Sequence, residues 1–197
     1  MPSTPPEKAE IDACRRCPLW ENATQGVAGE GGARAKVMLV GEQPGDEEDR
    51  QGKPFVGPAG RLLRELLEQA GLAPRDWYLT NAVKHFGWEP RGKRRIHKTP
   101  AQRDVAACHA WLEGEIAALR PKVIVALGAT ALASLTGARK GIAASRGSDL
   151  IHPSGAHLVA TYHPSALLRA PDPKAKAELR RAVEQDLSRT VRLLRGE

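Results

Sequence analysis

Apolar residues fall into two rhythms along the chain. Four short runs, Lys36–Val40, Tyr78–Val83, Lys122–Leu127 and His157–Tyr162, are rich in β-branched and aliphatic residues and read as strands. Each is nearly continuous in apolar character, which suits a sheet covered on both faces. The segments between them carry helical spacing. Gly60–Ala70 sets Leu62, Leu63, Leu66 and Leu67 on one stripe and stops at Gly71, a C-cap residue. Pro100–Leu119 repeats the pattern with Val105, Cys108, Leu112, Ile116 and Leu119, and ends before Pro121. Gly128–Leu135 reads as a short helix and Asp172–Leu194 as a long amphipathic one. This alternation predicts an α/β fold, a three-layer α/β/α sandwich around a short, four-stranded, mostly parallel sheet.

In such a sheet, ligands gather at the carboxyl ends of the strands. GEQPG follows the first strand, NAVKH ends the second, GATA follows the third and YHPSALLR closes the fourth, so four polar loops are expected on one rim. In the first loop Gly41 and Gly45 bracket Glu42 and Gln43 at a tight turn, and the acidic run Asp46–Asp49 comes next. That run reads either as a solvated acidic loop or as carboxylates held at the rim for chemistry. A phosphate-binding loop of the Walker type is excluded, because Gly-Lys-Ser/Thr is absent. Phe55, one of two phenylalanines, lies between Pro54 and the Val56-Gly57-Pro58 turn. It reads as a platform for a flat ligand, with a buried loop anchor as the alternative.

Composition narrows the partner. The chain has 197 residues, enough for one well-packed domain spanning 1–197, and 30 Lys and Arg against 23 Asp and Glu give a charge of +7, which favours a polyanion. No apolar run reaches the 18 or so residues that span a bilayer, and MPSTPPEKAE lacks a signal-peptide pattern, so no membrane association and a cytoplasmic location are expected. Of three cysteines, two form Cys14-Arg15-Arg16-Cys17; a metal site or redox pair is a better reading than a disulfide framework. Arg91–Lys98 holds five basic residues in eight and reads as a phosphate-gripping loop.

The series GEQPGDEED, GKPFVGPAG, LTNAVKH and HPSALLR, in this order and spacing, resembles the iron–sulfur uracil-DNA glycosylases from Cys14 to Arg169. The resemblance implies the uracil-DNA glycosylase fold, action on uracil-containing DNA with single strands accepted, base flipping, and a monomer that is nucleoid-associated when bound. By the same likeness Phe55 stacks on the flipped uracil and Asn81 reads its edge, a role that suits an amide offering donor and acceptor together. A strand-end cap is the plain alternative for Asn81. His163 would support negative charge on the departing base. Ser165, Leu167, Leu168 and Arg169 fall where the family wedges the duplex and holds a phosphate, although two leucines opening a helix also read as core. The family binds a [4Fe–4S] cluster through four cysteines. Here Cys14, Cys17 and Cys108 remain, and His85 stands where the usual pattern has the other cysteine. His85 is therefore assigned as a ligand, with His109 the competitor and zinc an alternative metal.

The string Lys93-Arg94-Arg95-Ile96-His97 is similar to the KRRIH signature of the UdgX branch, and Gln43 in GEQPG agrees with it. In that branch, the likeness implies, the loop histidine attacks C1′ of the deoxyribose after uracil leaves, and the protein stays attached after one turnover. Lys93, Arg94 and Arg95 would contact DNA, Glu42 would orient His97, and Gln43 and Asp46 would lie near the sugar. For His97 the plain alternative is a phosphate contact. Two other functions stand beside this one: multiple-turnover hydrolysis, and a non-enzymatic metalloprotein with three cysteine ligands and one histidine that binds nucleic acid by charge.

Overall fold

In the computed structural model, which describes residues 4–138 and 140–197, the four expected strands form the centre of one sheet. They are β2 (Val37–Gly41), β3 (Trp77–Asn81), β6 (Val123–Leu127) and β8 (His157–Thr161), all parallel, in the order β3-β2-β6-β8. Two-residue strands extend both edges in antiparallel fashion, β1 (Glu30–Gly31) on β3 and β7 (Leu150–Ile151) on β8, so the sheet has six strands rather than four. Two residues carry no periodic signal, which is why these edges were not expected.

The continuous apolar runs are explained by the two helical layers. Met38, Val40, Ile124, Ala126, Leu158 and Ala160 face α4 (Gln102–Leu119) and α5 (Ala129–Thr136) through Leu112, Ile116 and Leu132. The alternate residues Val37, Leu39, Val123, Val125 and Val159 face α3 (Pro58–Gln69) and α8 (Pro173–Arg195) through Leu63, Leu67, Val183 and Leu187. Lys84 and Glu115, both fully buried, pair at 2.7 Å and tie the segment after β3 to α4, with Thr80 completing the network. The short helix α6 (Ile142–Ser145) adds Ile142 to the first of these layers, and α1 (Lys8–Asp12) buries Ile11. No helix of the described residues is long and apolar enough to cross a membrane.

Two segments near the rim differ from expectation, and a third, HPSALL, opens the helix its leucines suggested. The acidic run is not a loop but the helix α2 (Asp46–Gln51), where four carboxylates in the first turn complement the N-terminal dipole. The basic segment is a hairpin of β4 (Trp88–Arg91) and β5 (Arg94–His97), closed at Gly92-Lys93 with Gly92 at φ +60°. His97 thus sits at the end of a strand. The HPSALL segment forms α7 (Pro164–Leu168), with His163 as its N-cap.

Candidate active site

The carboxyl ends of β2, β3, β6 and β8 enclose a cavity of about 630 Å³. Glu42, Phe55, Asn81, His97 and His163 line it, so residues separated by up to 121 positions meet at one rim, as the sheet topology requires. One wall forms a flat slot. Asn81 is 4% exposed and Phe55 5% exposed, and both press on Gly41. A Cβ there would lie 2.4 Å from Asn81 Oδ1 and 2.7 Å from Phe55 Cζ, so only glycine fits. Phe55 holds a left-handed backbone, φ +55°, a conformation that costs a bulky residue about 1–3 kcal/mol. Gly60 permits the turn, since a Cβ at that position would overlap the Phe55 carbonyl oxygen at 1.8 Å. Phe55 is therefore at once a packed anchor and the wall of the slot.

His163 closes the slot, its ring stacked near that of Phe55 with centroids 6.2 Å apart. Its Nδ1 accepts the Ser165 backbone N–H at 3.1 Å, which assigns the ring proton of the neutral form to Nε2. Burial pushes the imidazole down to about 4. At neutral pH the cavity thus contains an uncharged N–H donor.

Opposite lies a dyad. His97 Nε2 is 3.2 Å from Glu42 Oε1, and Thr130 Oγ1, from the first turn of α5, donates to Glu42 Oε2. Burial opposes ionisation of Glu42, but the hydrogen bonds from His97 and Thr130 outweigh it and hold the carboxyl below the usual range. Glu42 is thus a carboxylate. The sequence reading did not single out Thr130, although the GATA loop that carries it was expected at the rim.

Gln43 and Asp46 line the cavity but spend their side chains elsewhere. Gln43, 7% exposed, donates to the carbonyls of Gly87 and Lys98 at 2.9 and 3.0 Å and accepts the Gly87 N–H at 3.2 Å. One amide thus clamps both ends of the hairpin that carries His97. Asp46 accepts from Arg95 and, at 3.0 Å, from Arg50.

Arg95 is not free to grip a phosphate. Its guanidinium also bonds Asp49, which is fully buried, at 2.6 Å and Thr24 Oγ1 at 3.1 Å, and it lies over the rings of Phe86 and Trp88. The arginine is consumed in pinning β5 to α2. Asp49, Phe86 and Trp88 were missed because only the pairing of distant segments gives them this role. Lys93 and Arg94 are exposed at the hairpin turn, and Ser165 and Arg169 line the cavity mouth. The leucines divide: Leu167 is 1% exposed and packs in the core, whereas Leu168 is 46% exposed. Leu167 is accordingly not a surface contact.

Cys14, Cys17, His85 and Cys108 are all buried, and none of the cysteines is in a disulfide. A hydrogen bond from Cys108 lowers the Cys17 thiol to about 7, while the same contact and burial raise Cys108. The backbone N–H of Lys84 donates to Cys108 Sγ at 3.4 Å, and the indole N–H of Trp111 donates to Cys14 Sγ at 3.2 Å. Both thiols of the N-terminal pair are thereby tied to α4, and Cys108 to the loop after β3 that carries His85. Burial lowers the His85 imidazole below its ordinary value, so the ring is neutral and keeps a lone pair for a metal. Three thiols and a neutral imidazole suit an iron–sulfur or zinc centre by their chemistry. Among the described residues, however, no three His, Cys, Asp or Glu side chains are gathered closely enough to hold a metal ion. His109 points elsewhere, with Nε2 3.7 Å from Glu113.

Comparison with known proteins agrees with this geometry. The family model described as the uracil DNA glycosylase superfamily matches residues 28–187. The chain is 40% identical to a type-4 uracil-DNA glycosylase of Thermotoga maritima over 95% of its own length and 92% of the relative's. It is also 40% identical to a type-4 uracil-DNA glycosylase of Pyrobaculum aerophilum, over 82% of each chain. A type-5 uracil-DNA glycosylase of the same organism is 29% identical over 81% of this chain and 74% of its own. By fold, by the residues at the rim and by these likenesses, the chain belongs to the uracil DNA glycosylase superfamily.

Proposed function

We propose that this protein excises uracil from DNA and then remains attached to it through His97. The observation that carries this reading is the His97–Glu42 contact of 3.2 Å at the mouth of a slot walled by Phe55 and Asn81. A flipped uracil stacks on Phe55, and the Asn81 amide meets a carbonyl and the imide N–H of its edge. As the C1′–N1 bond breaks, its electron pair leaves with uracil, and the Nε2–H of neutral His163 stabilises the developing oxyanion. The deoxyribose is left as an oxocarbenium-like carbon. Glu42 accepts the Nε2–H of His97, so the other ring nitrogen keeps its lone pair and attacks C1′. The product is an imidazolium paired with the Glu42 carboxylate and has no ready leaving path.

In this reading Gln43, Arg95, Asp46 and Asp49 position the hairpin. Lys93, Arg94, Ser165 and Arg169 meet the DNA backbone, and Leu168 rather than Leu167 enters the duplex. Cys14, Cys17, His85 and Cys108, which as they stand do not gather around a single metal ion, have the chemistry to hold a [4Fe–4S] cluster, and it would brace the N-terminal segment against the loop after β3. A second reading is hydrolysis with repeated turnover, in which His97 only aids binding; the relatives named type-4 uracil-DNA glycosylases suit either reading.

A uracil-containing single-stranded oligonucleotide mixed with the protein decides between them. The expected result is a heat- and detergent-stable band on a denaturing gel, with one uracil released per protein. Free uracil in excess of protein and no such band would sink attachment. The two leucines give a separate check by thermal denaturation and duplex cleavage. Leu167→Ala is expected to cost about 2–5 kcal/mol of stability, whereas Leu168→Ala leaves the melting temperature unchanged and slows excision from duplex more than from single strands.

A further inference from the structure

A second groove, of about 680 Å³, is walled by α4 and α5 and adjoins the active-site cavity, with which it shares Thr99, Ala129 and Thr130. Thr130 is the residue that holds Glu42. The groove therefore begins at the edge of the chemistry. Val105 and Ala106 of α4 and Ala133 of α5 give it an apolar lining with little side-chain bulk. Gln102 and His109 offer donors and acceptors along one side, and Lys140 stands exposed at the mouth. Ser134, 8% exposed, contributes a buried hydroxyl that has no partner among the described residues.

We propose that this groove seats the base of the nucleotide adjacent to uracil on a single strand. The inference rests on the reading that uracil-containing DNA occupies the cavity. A nucleotide joined to the flipped one by a single phosphodiester has to leave the cavity over its rim, and the groove starts there. Apolar faces with polar groups at the edge match a nucleobase, and Lys140 matches the phosphate beyond it. A base in this groove is unpaired, so the groove favours single-stranded substrate and gives it a contact that duplex DNA lacks.

The probe is a single-stranded oligonucleotide with 2-aminopurine on the 5′ or the 3′ side of an abasic tetrahydrofuran residue, which requires no chemistry from the protein. Fluorescence anisotropy reports binding and 2-aminopurine emission reports the base. Emission is expected to rise for one side only, as stacking on the neighbouring bases is lost. Ala106→Phe, which fills the groove from an exposed position on α4, is expected to abolish that rise and to weaken binding about tenfold, the order expected for loss of one base contact. Unchanged emission on both sides while anisotropy rises overturns the proposal, as does a rise that survives Ala106→Phe, or an absence of binding. Failure of uracil release in the gel assay, with the emission change intact, would instead count against the excision reading.

Discussion

His97→Ala is expected to lose the denaturant-stable attachment entirely while still releasing uracil, and to do so more than once per protein. The slot of Phe55, Asn81 and His163 does not depend on His97, so bond cleavage has its main supports in the variant. In the proposed reading the imidazole, 3.2 Å from Glu42, is the nucleophile, and one fixed in place acts at effective concentrations of about 10⁵ M or more. Water competes poorly with it. Removing the ring opens a space beside Glu42, which keeps its hydrogen bond from Thr130 and can take up a proton from an incoming water. The measurements are band intensity on a denaturing gel and free uracil per protein. A stable band in His97→Ala would show that another group is attached.

His163→Ala is expected to slow excision about 10²–10³-fold, the cost of removing one preorganised donor to a developing oxyanion. The pH dependence separates this role from a charged one. Burial lowers the imidazole from its ordinary value near 6.5 to about 4, so the neutral N–H donor is fully present above that range and is lost only as pH falls through about 4. Single-turnover release by His97→Ala, which removes the other histidine of the cavity, is expected to stay flat between pH 7 and 5. A loss of half the rate near pH 6.5 would show that His163 titrates as an exposed imidazole. Stability moves in the same direction: below pH 6.5 the unfolded chain takes up a proton that folded His163 refuses until about 4, so stability declines across that window as pH falls.

The central sheet was legible because continuous apolar runs have few other uses in a chain of this size. All four strands lie within two residues of their expected bounds, and alternate residues serve the two layers. The edge strands were too short to leave a signal. The acidic run deceived, because charge suggested a solvated loop where the first turn of a helix provides a favourable place for carboxylates. Charge deceived again at Arg95, which is basic in a basic segment yet is satisfied by Asp46, Asp49 and two aromatic rings.

The order of residues placed Glu42, Phe55, Asn81, His97 and His163 at strand ends or in the segments beside them, and it was the family resemblance that singled these five out for the rim. Local pattern does not carry distances between segments. That His97 reaches Glu42 across 55 positions, that Gln43 clamps the hairpin, and that Leu167 turns inward while Leu168 turns out were decided by packing. The reason is that each depends on which buried polar group or apolar surface a neighbouring element leaves unfilled, and that is a property of the assembled layers.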